Sequence, residues 1–356
     1  MAYYFTLPKY TELSPEQQRA VIQIEPLALS GGPGTGKSVV CVWRHLRNYE
    51  TGSKKSLLLT YTKTLEHYLK YSIGDKNIEA KDSIDRIMLW STGNSKTNEL
   101  KMYDEIIIDE AQDIDPDRFR TILSYAESLS YGADKRQSLY QNDENLDELF
   151  TEFSTNPKTA NNQQVTLSKN YRNSQEILLF IRSAFPNVLI SRNVLDDAKI
   201  TGRKPIVHRN LAVSTRSNNE RLLAYTQDIL KIVNHFHRPT HNIAILVPSV
   251  YQIELYYNAL RDLLPENIEV SKYYNTLTNF EGMMGVHITT FKSSKGTEFD
   301  TVIIPEFDST FFSGRVLEQE FYVAFTRAKL NLFLLCGGEF PDYFNIDTVL
   351  IEEIIK

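Results

Sequence analysis

The stretch GGPGTGKS at residues 31–38 decides how this chain is read. It follows an apolar run at 26–30 and opens a helical pattern over 37–49, so it matches GxxxxGK[ST] in the strand-loop-helix setting such a loop needs. Glycines let successive backbone N–H groups turn inward around phosphates, and the helix N-terminus adds its partial positive charge. Gly32, Gly34, Thr35 and Gly36 are the cradle on this reading, Lys37 reaches the β- and γ-phosphates, and Ser38 holds Mg²⁺. A nucleotide's phosphates and Mg²⁺ are therefore the expected ligands.

Outward from the loop, short β-rich runs at 56–61, 105–109, 128–131 and 164–167 alternate with helical stretches. One of these is opened by Asp115 as N-cap with Pro116 at the first helical position. Such alternation predicts βαβ units and a parallel sheet, hence an α/β fold. The run YDEIIIDEAQD at 103–113 ends its strand on Asp109 and Glu110. An Asp at a strand tip beside a phosphate loop can hold Mg²⁺, and a neighbouring Glu can polarise an attacking water. The second half repeats the style, with a helix at 174–185 and strands at 243–249, 287–290, 301–307 and 331–336. A polar, turn-rich segment at 154–164 sets the expected boundary, giving domains 1–167 and 168–356. Residues 187–220 are irregular and polar, and no element is assigned there.

A length of 356 residues suits two domains, and 42% hydrophobic with 24% charged residues is ordinary globular composition. The net charge of -6, with no basic excess in either half, means that nucleic-acid binding must rest on a local groove. No apolar run approaches the ~18 residues a membrane helix requires. The N-terminal residues lack a charged head followed by an apolar core, so the expected location is cytoplasmic, with no membrane partner. Cys41 and Cys336 sit in apolar segments without metal-ligand spacing and read as buried hydrophobes. Trp43 and Trp90 read as core, and His235, His237 and His241 as a solvated connection rather than a metal site.

On both sides of residue 109 the motifs resemble superfamily 1 helicases of the UvrD/Rep type. DEAQD at 109–113 looks like the family's second motif, LTYTK at 59–63 like a strand-end motif touching single-stranded DNA, and ADKRQSLY at 133–140 like the third. NYRNS at 170–174, TFKSSKGTEFD at 290–300 and EQEFYVAFTRAK at 318–329 follow in the family's order. The resemblance implies two tandem RecA-like P-loop domains with parallel sheets and a nucleotide cleft between them. It assigns adenine reading to Gln17, stacking on adenine to Tyr171, and ribose contact to Glu298. Gln137 would sense the γ-phosphate, while Arg172 and Arg327 would neutralise charge developing on it, joining Lys37, Asp109 and Glu110 as the catalytic set. Thr60, Tyr61, Thr62, Tyr140, Thr290 and Lys292 would line the nucleic-acid track.

Departures from the family pattern narrow the expectation. Val39 stands where the family usually has Arg, QND at 141–143 replaces an aromatic and an arginine, and Lys292 replaces a His. Residues 63–108 and 173–289 leave too little chain for the large accessory insertions of full-size relatives. The expected activity is ATP hydrolysis stimulated by single-stranded DNA with 3′–5′ movement, RNA remaining open as the track. The rival reading is a nucleotide-gated nucleic-acid-binding switch that recruits a separately encoded nuclease or accessory subunit.

Overall fold

A computed structural model describes residues 7–74, 76–88, 90, 102–188, 190–213, 217–274, 285–308, 316–341, 344 and 346–356. The chain divides into two units, Phe5–Asn170 and Tyr171–Lys356. In the first, the apolar runs become strands β1 (Leu27–Ser30), β2 (Ser56–Thr60), β3 (Ile84–Arg86), β4 (Tyr103–Asp109), β5 (Ala126–Gly132) and β6 (Gln163–Thr166). Their order is β3-β2-β4-β5-β1-β6, every pairing parallel. Helices cover parallel sheets on both faces, which is why β2 and β4 read as continuous apolar runs rather than alternating ones. The chain leaves β1 in one direction and returns to its other side as β6. Loops leaving the carboxyl ends of β1 and β4 thus open on either side of β5, at the kind of switch point where α/β sheets bind ligands.

The helix Lys37–Glu50 packs on this sheet through Val40, Cys41 and Leu46. Leu57, Leu59, Ile106, Ile108, Phe119 and Leu129 form the core beside the site. Beneath it lies a buried charge. Glu105 accepts hydrogen bonds from Arg44 Nε at 2.7 Å, from Asn48 Nδ2 at 3.0 Å and from the Ser130 hydroxyl. The same guanidinium donates to the carbonyls of Gln23 at 2.6 Å and Glu25 at 2.9 Å, so one network ties the phosphate-loop helix to β4, β5 and the lead-in to β1.

The second unit holds β7 (Ile206–Arg209), β8 (Ile243–Val247), β9 (Val270–Tyr273), β10 (Val286–Thr290), β11 (Phe299–Ile304), β12 (Ala328–Cys336) and β13 (Glu352–Ile355). Their order is β13-β7-β12-β11-β8-β10-β9, again all parallel. Its core joins Ile245, Val247, Ile288 and Ile303 to Tyr256 and Ile229. A cluster of rings, Phe307, Phe321, Phe325 and Phe344, packs under the helix Glu318–Phe325.

Four strands have no counterpart in the sequence reading. β3 is three residues long, β9 and β13 are sheet edges, and β7 lies in the polar segment left unassigned, along with the helix Arg192–Asp196. The helix Asp143–Thr155 also runs into the segment read as loop. Trp90 is buried, but Trp43 is only half-buried: its indole N–H donates to the Pro8 carbonyl at 2.9 Å, and Tyr10 and Lys76 pack on its ring. Both cysteines are buried thiols. His241 Nε2 is 2.8 Å from the Thr301 hydroxyl. Among the described residues no helix is long and apolar enough to cross a membrane.

Burial alone would raise the pKa of Glu105, but Arg44, Lys54 and the Ser130 hydroxyl hold it below its ordinary 4.5. A depressed carboxylate contributes stability above its unfolded pKa and loses that contribution as the pH falls through the folded one. Glu105→Ala, which strands Arg44, is expected to cost roughly 3–5 kcal/mol at pH 7 in urea unfolding. The variant should also lack the part of the parent's acid destabilisation below about pH 4.5 that Glu105 carries.

Candidate nucleotide site and strand-contact loops

After β1 the backbone turns through Gly31 (φ 143°), Gly34 (φ 73°) and Gly36 (φ 88°), a region that side chains rarely adopt. A Cβ on Gly31 would stand 2.5 Å from the Leu167 carbonyl, and one on Gly36 would stand 2.4 Å from Gln17 Nε2. The Lys37 ammonium crosses the loop, donating to the carbonyls of Gly31 at 2.7 Å and Gly32 at 3.1 Å. The Thr35 hydroxyl donates to the Gly32 carbonyl at 2.9 Å, and Asn170 Nδ2 donates to the Pro33 carbonyl at 2.8 Å.

Gln17 sits in the first turn of the helix Pro15–Ile22, which Ser14 caps. Its Oε1 accepts from the Ser14 N–H at 2.9 Å and its Nε2 donates to the Thr35 carbonyl at 3.0 Å, leaving the side chain 5% exposed. The residue expected to read a base is thus first a strut of the phosphate loop. Each half of its amide keeps one further hydrogen-bonding capacity.

Asp109 ends β4 with 0% exposure, and neither carboxylate oxygen has a hydrogen bond of good geometry. Burial, then the Glu110 charge, push its pKa up to about 7, while the nearby Ser38 hydroxyl and Lys37 pull down. An orphaned carboxylate beside a serine hydroxyl supplies the hard oxygen ligands that Mg²⁺ takes together with phosphate oxygens, so these residues fit the ion. Glu110 follows in a left-handed conformation (φ 59°), which turns its carboxylate off the strand line and toward Gln112 Nε2. Gln112 Oε1 in turn accepts the Asp134 N–H at 3.0 Å.

Asp134 is therefore linked to the acidic strand end. Its Oδ2 accepts from Gln137 Nε2 at 2.7 Å, with Gln137 buried, and the Leu139 N–H donates to Asp113 Oδ1 at 3.2 Å. On this same segment Tyr140 packs against Tyr61, ring centroids 4.5 Å apart and planes tilted by 32°. Both rings are half-buried. Their expected neighbours differ. Thr60 is fully buried with its hydroxyl unpartnered, and the buried Thr62 hydroxyl caps the helix Lys63–Ile73 by accepting from the Leu65 N–H at 3.1 Å. Neither threonine presents its hydroxyl to solvent, because β2 is an interior strand and its end is roofed by that helix.

In the second unit Arg172 Nε donates to Glu298 Oε2 at 3.0 Å, and Lys329 lies 3.7 Å from the same carboxylate. Burial raises the Glu298 pKa, but Arg172 and Lys329 outweigh it and hold the group below its usual range. The expected ribose contact and one expected cation are thus paired. Arg327 is 1% exposed, and its guanidinium donates to the carbonyls of Val323 at 3.0 Å and Thr297 at 3.1 Å and to the Thr326 hydroxyl at 3.1 Å. A buried guanidinium left unbonded is costly, so local acceptors take it up. Tyr171 is 48% exposed, as a stacking ring requires. The Thr290 hydroxyl caps inward on the Ser293 N–H at 3.0 Å, and Lys292 pairs with Glu320 at 2.9 Å.

Two residues that sequence reading passed over are Gln112 and Asn170. The first was visible as the polar residue inside DEAQD, while the second's contact is with a loop far away in sequence, which no local pattern reveals.

Residues 17–141 match a family model described as an AAA domain, and residues 273–337 match the UvrD-like helicase C-terminal domain. Saccharomyces cerevisiae Dbp5 bound to RNA and ADP BeF3 superposes with a TM-score of 0.58 at 11% identity, covering 97% of this chain and 94% of that one. A point variant of Dbp5 in the same complex gives 0.57 at 12% identity, covering 98% and 95%. At these identities the likeness shows the fold, two tandem RecA-like units. The C-terminal domain of a possible DNA helicase from Lactobacillus plantarum is 21% identical over 51% of this chain and 98% of its own, with a TM-score of 0.36. Among curated proteins none matches significantly.

Removing the orphaned charge should stabilise the empty site at the expense of chemistry. Asp109→Asn is expected to raise the metal-free protein's stability at pH 8 by about 1–3 kcal/mol in urea unfolding, while abolishing Mg²⁺-dependent ATP turnover.

Proposed function

Since the chain is a UvrD-like superfamily 1 helicase by its family domains, we propose that it is an ATP-driven motor that moves 3′–5′ on single-stranded DNA. The reading rests above all on one observation: the unpartnered carboxylate of Asp109 stands beside Ser38, while its neighbour Glu110 is wired through Gln112 to the segment that carries Tyr140. Ser38 and Asp109 would hold Mg²⁺, which supplies positive charge at the phosphate oxygens. Gly32, Gly34, Thr35, Gly36 and Lys37 bind the phosphates, Gln17 the adenine edge, and Tyr171 the adenine face. Glu110 takes the proton of the attacking water, and Gln137 and Arg172 respond to the γ-phosphoryl group.

In this account Arg172 leaves Glu298 when nucleotide binds, freeing Glu298 for the ribose. Tyr61 and Tyr140 offer ring faces to bases, a sequence-tolerant contact worth about 1–3 kcal/mol per base. Lys292 adds a phosphate contact. Thr62 and Thr290 contribute through the backbone that their hydroxyls cap, and Thr60 from inside β2, rather than by hydroxyl contacts to the strand. A cytoplasmic location accompanies this reading.

The switch reading is favoured by one feature, the engagement of Arg327 within its own unit. A cation that stays there would leave ATP binding without a strong push toward hydrolysis. Displacement of streptavidin from biotinylated oligonucleotides separates the two. A motor releases it from the 5′ end far faster than from the 3′ end, in proportion to ATP turnover, and Lys37→Ala abolishes release. Equal or absent release at both ends, with nucleotide-dependent DNA binding retained, would favour the switch.

A further inference from the structure

Gln141 is the first residue of the QND segment that departs from the family pattern. Its Nε2 donates to the Asp113 carbonyl at 2.8 Å, and its Oε1 accepts from Asn145 Nδ2 at 3.1 Å. Asn145 belongs to the helix Asp143–Thr155, whose cap is Asn142. On the other side of Tyr140, the Leu139 N–H donates to the side chain of the same Asp113. Tyr140 is therefore flanked by two bonds to one residue. That residue is only three positions beyond Glu110.

We propose that Gln141 is a positioning residue that, with Asp113, clamps Tyr140 in the orientation in which its ring faces Tyr61 and receives a base. The inference rests on the motor reading above and adds to it a route from the acidic strand end to the stacking ring. The chemistry is plain. The amide has a donor facing a carbonyl and an acceptor facing an amide N–H, so it bridges β4's exit loop to the first turn of the next helix without adding charge. Tyr140 is a single ring on a loop, and a loop ring without such anchors would sample several rotamers and lose stacking strength to their entropy.

The test measures ATP turnover against single-stranded DNA concentration for the parent, Gln141→Met, Gln141→Glu, Tyr140→Ala and the double variant Tyr140→Ala/Gln141→Met. Met keeps the length and removes both hydrogen bonds, while Glu keeps the shape and turns the donor into an acceptor aimed at a carbonyl. Turnover without DNA should stay within about twofold of the parent in the Gln141 variants, and the DNA concentration for half-maximal stimulation should rise about fivefold, because the lost bonds act on DNA only through the ordering of the ring and so cost binding less than their sum. The double variant should be no weaker on DNA than Tyr140→Ala alone, because the clamp acts only through that ring. Parental DNA dependence in Gln141→Met and Gln141→Glu would overturn the clamp. So would a loss of DNA-free turnover matching the loss of stimulation, or additive losses in the double variant. A parent that turns over ATP with no response to DNA would instead overturn the motor reading, and the clamp with it.

Discussion

A carboxylate with no exposure and no hydrogen-bond partner is among the most expensive things a folded chain can hold, and Asp109 is one. Desolvation, with the Glu110 charge beside it, lifts its pKa to about 7. Much of the first unit serves to keep that oxygen pair in place. Two buried strands bracket β4, the Glu105–Arg44 network fixes its opposite end to the phosphate-loop helix, and the αL turn at Glu110 prevents the strand from running on. On the proposed reading, this cost falls where a cation and a phosphate chain would offset it.

The neighbouring hydrogen bonds extend from this point. Glu110 reaches Gln112, Gln112 reaches Asp134, and the segment from Asp134 returns to Asp113 before presenting Tyr140. Each link is short and polar. The acidic strand end is thereby connected by hydrogen bonds to the segment that carries one ring of the Tyr61–Tyr140 pair. In the second unit the corresponding economy is local: Arg172 is paired with the Glu298 carboxylate, and Arg327 donates hydrogen bonds to carbonyls of its own neighbourhood.

What could be read from the sequence follows the physics of each signal. The phosphate loop was legible because glycine, lysine and serine at fixed spacing answer to backbone sterics, and the loop's positive φ angles at Gly34 and Gly36 express that constraint. Buried parallel strands such as β2, β4 and β8 were legible as unbroken apolar runs. The edge strand β13 was not, since it is exposed throughout and no burial pattern marks it, and neither was β7, which is interior to its sheet but short and set among polar residues. Side-chain partnerships were least legible. The inward turn of Thr60 and Thr62, the two roles of Gln17 and the tucked guanidinium of Arg327 depend on what folds beside them, and identical residue types at a strand end or helix end could face either way.

The central claim is that nucleotide chemistry at Asp109 and Glu110 is coupled to single-stranded nucleic acid at Tyr61 and Tyr140. It is tested most directly by steady-state ATP turnover of the purified chain, with and without a saturating homopolymeric DNA strand, in Mg²⁺. The account predicts strong stimulation by the strand and its loss when Tyr140 is replaced by Ala. Turnover that is the same with and without DNA or RNA would contradict it.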